Sequence, residues 1–412
     1  MNRGYLALRI IALAIGAMPW HEALANPTGP TPVRGVASIS GLGTPSVTVN
    51  TNDAKAIINW QGFSIDGLET TRFTQPSAAS AVLNRVTSTQ PSSILGSLQS
   101  NGQVFLINPN GIFFGAGATV DVAGFVASSL NLANDDFISG RLRFTETPGA
   151  GQVVTSGLTR APDPFGGPGT TINAPGGFVY LVAPSIINGG DINATEVTLA
   201  AARSVEIINP GTPDVTVNIS AGPENAMLNF GAISGGRINI FAGVMHISGG
   251  GEFGSAASVS ASTAVAGADG TVTLRATGDI NVGPEPGFFA DGPRIEASKR
   301  VKMIADGNIT MSCPECRIDA PALVQGCDIF LKGNNITQGA NASLVGRNLT
   351  IAASGDVDLG NFSNSVERLG GTASGDVVFN NSSSTLKVNG LWVEPPIRFL
   401  SRSSETSRST AT

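Results

Sequence analysis

A short unit returns along the second half of the chain: Gly278-Asp279-Ile280, Gly307-Asn308-Ile309, Gly333-Asn334-Asn335-Ile336, Gly355-Asp356-Val357 and Gly375-Asp376-Val377. Ile336, Val357 and Val377 stand 21 and 20 residues apart. A turn followed by a β-branched residue at a near-constant interval is what one coil of a solenoid requires. In a parallel β-helix, coils stack about 4.8 Å apart, so backbone hydrogen bonds run between coils and apolar side chains form interior ladders. The competing architecture is a sandwich or barrel with strands about 8–12 residues apart. Asn-Gly pairs at Asn101, Asn110, Asn188 and Asn389 would suit its hairpins. Their uneven intervals favour the coil, and the prediction is an all-β parallel β-helix.

The rest of the chain agrees. Short apolar or alternating runs at 47–49, 56–58, 104–107, 178–182, 197–200, 205–208, 237–241 and 272–275 have strand length or less. Gly, Asn, Asp and Pro between them are expected to supply left-handed backbone angles and preset turns. One stretch, 78–86, contains good helix formers beside the stiff Val82 and Val86, and leaves a helical turn open there.

Glycine makes up 52 of 412 residues, and charged residues only 13%, against a usual share of about 25%. That is the composition of stacked coils with small outward turns. A net charge of −6, with 19 Arg and 5 Lys, argues against nucleic acid as a partner. His21 and His246 are the only histidines, which disfavours His-dependent catalysis and multi-His metal sites. No metal or cofactor is expected.

Arg3 and Arg9, an apolar stretch at 10–18 and Ala23-Leu24-Ala25 read as a secretory signal peptide cleaved between Ala25 and Asn26. The Pro- and Gly-rich segment 161–170 marks a soft boundary. The expected organisation is a signal peptide at 1–25, an N-terminal module at 26–160, a repeat region at 161–400 and a disordered Ser/Thr/Arg tail at 401–412.

Within the N-terminal module, 54–65 reads AKAIINWQGFSI and 72–76 reads RFTQP. They are followed by Leu83-Asn84-Arg85-Val86, then 102–115 (GQVFLINPNGIFFG), 126–130 (VASSL) and Asp136-Phe137. In order and spacing these resemble the N-terminal secretion domain of the filamentous haemagglutinins over roughly 100 residues. Asn108-Pro109-Asn110-Gly111 is a turn in its own right. Proline sets φ at the second position, Asn110 or Gly111 can take positive φ, and the Asn side chains can bond the backbone two residues on. Some relatives carry a further Asn-Pro-Asn-Leu upstream. Here Leu83-Asn84-Arg85-Val86 occupies that region.

The resemblance implies a right-handed parallel β-helix with a β-rich N-terminal cap, and export by two-partner secretion. The implied partners are the Sec machinery and an outer-membrane β-barrel transporter with periplasmic recognition domains. The implied destination is the exterior or cell surface of a Gram-negative bacterium, reached through the periplasm. Asn108 to Gly111 would be the secretion motif and Leu83 to Val86 the region recognised by the transporter. The exported protein would be an adhesin-like binder, with glycans as candidate ligands. Relatives are usually far longer, so the alternatives are an exoprotein without its adhesive region or a polysaccharide-degrading β-helix enzyme, which needs clustered carboxylates.

Cys313, Cys316 and Cys327 make an odd count. In an exported chain this predicts one disulfide with a free thiol, or an intermolecular bond. Cys313 with Cys316 is the expected pair.

Overall fold

The computed structural model describes residues 26–157, 169–208, 210, 216–248, 257–264, 268–283, 292–312, 322–360, 364–383 and 385–393. They form a parallel β-helix. Each coil contributes one long strand, bent or broken near its middle, and one short strand. Ala342–Ala353 followed by Val357–Leu359 is such a coil. The first halves of the long strands stack on one face of the solenoid and the second halves on another. The two faces merge into a 20-stranded sheet, while the short strands form a separate sheet of eleven.

The register shows why the sequence folds this way. On the second face Val104, Phe125, Val179, Val197, Ile238, Val272, Val301, Ile329, Leu349 and Leu369 stand one above another. On the short-strand face Ile112, Val153, Ile186, Met227, Met245, Ile280, Ile309, Ile336, Val357 and Val377 do the same. All are buried in one continuous core. Apolar surface leaves water at about 25 cal/mol per Å², so a one-residue slip, which would turn each column outward, is strongly disfavoured.

The recurrent Gly-Asn/Asp corners lead into the short strands as the spacing predicts, but the glycines serve another purpose than expected. Gly278, Gly307, Gly333, Gly355 and Gly375 do not adopt positive φ. A Cβ on Gly307 would come within 2.3 Å of Asp279 Oδ1, on Gly355 within 2.3 Å of Asn335 Oδ1, and on Gly375 within 2.1 Å of Asp356 Oδ1. The small residue is required by the side chain of the coil before. Those oxygens form a ladder. Asn308 N–H donates to Asp279 Oδ1 at 2.7 Å, Asn335 N–H to Asn308 Oδ1 at 3.1 Å, Asp356 N–H to Asn335 Oδ1 at 2.9 Å and Asp376 N–H to Asp356 Oδ1 at 2.9 Å. Corner amides that the strands leave unpaired are satisfied in this way.

The N-terminal end is covered by Thr31–Arg34 and Val36–Ser40, which pair antiparallel with Lys55–Trp60 and Ser46–Thr51. This is the expected β-rich cap, and Trp60, Phe63 and Phe73 pack beneath it. Residues 78–86 are not helical: Ala81–Val86 is a strand, because parallel pairing with the coils on both sides overrides local propensity. The one helix among the described residues, Asn134–Ser139, belongs to a feature that the sequence did not announce. It leads into a small antiparallel sheet of Asn131–Leu132, Leu142–Thr145, Ser204–Ile208 and Thr216–Ser220. This flap covers a second core on the outside of the solenoid, containing Leu83, Phe105, Val126, Phe137, Phe144, Tyr180 and Ile207.

The boundary expected at 160/161 falls in 158–168, outside the described residues. On either side of it Gly124–Ser128 and Thr171–Ala183 are neighbours in one sheet. No helix of the described residues is long and apolar enough to cross a membrane.

Candidate functional site

Strands Gln103–Ile107 and Ile112–Phe114 hold the Asn-Pro-Asn-Gly corner between them. Gly111 N–H donates to Asn108 O at 3.0 Å, which closes a β-turn around Pro109 and Asn110. Gly111, with φ of 103°, is the residue that takes the positive angle. Asn108 is wholly buried. Its Oδ1 accepts Asn110 N–H at 3.0 Å, the local bond that the motif predicts. Its Nδ2 reaches the preceding coil, donating to Gln90 O and to Ser92 Oγ, each at 3.0 Å. Asn110 Nδ2 donates to Ser88 O at 2.8 Å. On the other side Gly151 N–H meets Pro109 O at 2.8 Å and Ile112 N–H meets Gln152 O at 2.9 Å. The corner is therefore a clamp on two neighbouring coils as much as a self-contained turn. Pro109 and Asn110 are its partly exposed residues.

Leu83-Asn84-Arg85-Val86 lies one coil earlier and divides by strand parity. Asn84 and Val86 are buried on the inner side, and Asn84 stands in register between Ile58 and Leu106. Leu83 belongs to the outer core under the flap. Arg85 reaches the flap itself, donating through Nη1 to Asn134 Oδ1 at 2.8 Å and through Nη2 to Leu132 O at 2.6 Å. Burial holds its guanidinium below the ordinary arginine range. Lys55 donates to Phe137 O at 2.8 Å and lies over the Phe137 ring, and burial lowers its pKa as well. Two partly desolvated cations thus fasten the flap to the solenoid.

Of the other expected site residues, Ala25, Cys313 and Cys316 lie outside the described residues. Asn26 is buried. Cys327 is a free thiol whose Sγ donates to Ser298 O at 3.3 Å. The described residues contain no group of three or more His, Cys, Asp or Glu suited to a metal ion.

Nothing in the sequence singles out a residue for ligand contact, yet one surface stands out. An open groove of about 740 Å³ runs along the second face of the later coils, lined by Arg300, Lys302, Phe330, Lys332, Thr350 and Arg368 among others. Arg300, Asp328, Asn348, Arg368 and Lys387 follow one another in register. Asp328 accepts from Asn348 at 2.7 Å and from Arg300 at 3.4 Å. The Asn348 hydrogen bond, then Arg300, holds its carboxyl below the usual carboxylate range. Lys302 lies 6.0 Å from the Phe330 ring centre. The legible signal was where the lysines fall: Lys299, Lys302, Lys332 and Lys387 are four of the five in the chain.

With this geometry in view, comparison with known proteins is decisive. The TPS secretion domain matches residues 23–282, more than half of the chain. The chain belongs to the TPS secretion domain family. That match spans the cap, the Asn-Pro-Asn-Gly clamp, the flap and the first several coils, and bears out the resemblance seen in the motifs. The heme/hemopexin-binding protein of Haemophilus influenzae strain Rd is 32% identical over 198 residues, covering 46% of this chain and 20% of that protein. A second Haemophilus influenzae heme/hemopexin-binding protein is 33% identical over 126 residues, 31% of this chain and 14% of that one. The chain thus matches a fifth or less of the length of these curated relatives. The crystal structure of the HMW1 secretion domain from Haemophilus influenzae aligns over 92% of this chain and 100% of its own, with a TM-score of 0.56 at 22% identity, a likeness of fold. The TPS secretion domain here is therefore a β-helix like that of its relatives, and the groove at 300–389 lies beyond the matched region.

Proposed function

We propose that this chain is an exoprotein, or the leading part of one, exported by two-partner secretion. Residues 1–25 direct it through the Sec machinery. The capped N-terminal coils are then recognised in the periplasm by a cognate outer-membrane β-barrel transporter, and the protein reaches the outer surface of a Gram-negative bacterium. The observation that carries this reading is the family match over 23–282, which contains the Asn108 clamp and the Leu83 to Val86 strand. With Leu83, Asn84 and Val86 buried and Arg85 engaged by the flap, these four residues serve recognition by shaping the surface above them. The test is export in cells carrying the transporter. Deleting residues 26–150 should leave the protein in the periplasm, and undiminished export of that variant would refute the proposal.

A second reading concerns what the exported coils bind. The groove lined by Arg300, Lys302, Lys332 and Arg368, with Asp328 already paired, suits a multivalent anionic ligand such as an acidic glycan. The relatives named for heme and hemopexin binding make haemin, a dicarboxylate, the second probe. Titration with dextran sulfate and with haemin separates the two, and failure of both to bind would remove this reading while leaving export untouched.

A further inference from the structure

The backbone nitrogen of Asn26 points at a carboxylate. Its N–H donates to Glu69 Oε2 at 2.7 Å, and the same oxygen accepts Asp66 N–H at 2.9 Å. The Asn26 side chain is held at both ends, Nδ2 donating to Thr44 O at 2.6 Å and Oδ1 accepting from Thr71 Oγ1 at 2.9 Å. Asn26 is 1% exposed, Glu69 8% and Thr71 0%. Asn26 also adopts φ of 58°, in the left-handed region that non-glycine residues seldom visit. Two residues further on, Thr28 N–H donates to Gly62 O at 2.8 Å and the chain continues into the cap strand Thr31–Arg34.

The Glu69 carboxyl oxygen meets two backbone N–H donors here. None of the ion pairs among the described residues includes Glu69. A carboxylate taken out of water is costly unless a cation or several donors compensate it, and an amide supplies a donor but no charge. The sequence provides a positive charge on the same atom. The signal peptide reading, on which this inference rests, places the scissile bond between Ala25 and Asn26.

We propose that Glu69 is the receptor for the α-ammonium group that signal peptide removal creates on Asn26, so that processing completes the N-terminal cap. The chemistry balances with water alone in the active site of a leader peptidase. Water adds across the Ala25–Asn26 amide, the C–N bond breaks, Ala25 departs as a carboxylate, and the Asn26 nitrogen takes up protons to become an ammonium. The hydrogen bond from a neutral amide to the carboxylate becomes an ammonium–carboxylate ion pair between buried partners. The uncleaved precursor holds its cap less firmly than the mature chain. Its solenoid is therefore least closed while the chain is still attached to the inner membrane, and gains its final fastening on release.

The test uses the full chain from Asn26 in four forms: with a free or an acetylated Asn26 amine, each with Glu69 or Glu69→Gln. In the free-amine protein Glu69→Gln should lower the melting midpoint by about 4–6 °C, and in the acetylated protein by less than half as much. With Glu69 intact, acetylation alone should lower the midpoint. Equal effects of Glu69→Gln in both forms, or no effect of acetylation, would overturn the proposal. Mass spectrometry of the exported protein supplies the independent arm. An N-terminus other than Asn26 would refute the pairing while leaving export standing, whereas loss of export with the transporter present would refute the export reading and leave the melting comparison valid.

Discussion

The Trp60 indole donates to Asn84 Oδ1 at 2.9 Å, joining two coils through a hydrogen bond inside the apolar column formed by Ile58, Asn84 and Leu106. Asn84 Nδ2 goes on to the next coil, to Phe105 O at 3.3 Å. A buried amide in such a column is tolerable only because its donors and acceptors are met. Asn84→Leu strands the indole N–H and should cost about 2–3 kcal/mol in urea denaturation. Trp60→Phe in the same chain should recover part of that, since the unpaired donor is then gone. Strictly additive losses would show that the bond does not carry the effect.

Asn108 offers a sharper case, because one side chain serves its own turn and the coil before it. Asn108→Ala removes those bonds at once and opens a buried polar gap. A loss of about 2–4 kcal/mol is expected by denaturant titration, with export reduced in proportion. Asn108→Asp keeps the acceptor to Asn110 and loses the donors to Gln90 and Ser92, so it should be nearly as harmful.

At the later corners, Gly355→Ala sets a methyl group 2.3 Å from Asn335 Oδ1. The expected cost is about 1–3 kcal/mol, with faster amide exchange at Asp356 and Val357. Removing the obstacle with Asn335→Ala should shrink the added penalty, which a mere glycine-propensity effect would not do.

His246 gives a pH dependence. It is half-buried, and desolvation lowers its pKa from 6.5, against an opposing pull from Asp279. The folded chain therefore binds fewer protons than the unfolded one. Stability from this residue is fully present above pH 6.5 and declines as pH falls below it toward the folded value. Melting midpoints measured across that range should fall on acidification, and His246→Gln should flatten the response.

The cationic groove predicts salt sensitivity. Replacing Lys302, Lys332 and Arg368 together by Ala should weaken dextran sulfate binding at least about tenfold at low ionic strength and reduce its salt dependence, as loss of exposed charge requires. The melting midpoint should stay within about 2 °C, since these side chains face solvent.

The solenoid was legible because its columns repeat: Ile336, Val357 and Val377 return at the spacing of a coil and occupy one interior ladder. The clamp at Asn108 was legible as a turn, since proline and glycine act within four residues. Its hold on Gln90, Ser92 and Gly151 was not, because those contacts join separate coils. The flap was hidden for the same reason, as Leu142–Thr145 pairs with Ser204–Ile208 across some sixty residues of chain. Nor could composition distinguish glycine needed for a left-handed angle, as at Gly111, from glycine needed to admit Asn335 Oδ1, as at Gly355. The resemblance implies that the transporter recognises Leu83 to Val86, yet strand parity sends Asn84 and Val86 inward and Leu83 into the core under the flap.

The corner ladder from Asp279 to Asp376 has an arrow. At each step the side-chain oxygen belongs to the earlier coil and the amide to the later one. For a chain that builds from its N-terminal end, every new coil meets a docking point already in place and then presents the next. Assembly so arranged resembles a ratchet, with each tooth cut by the one before it.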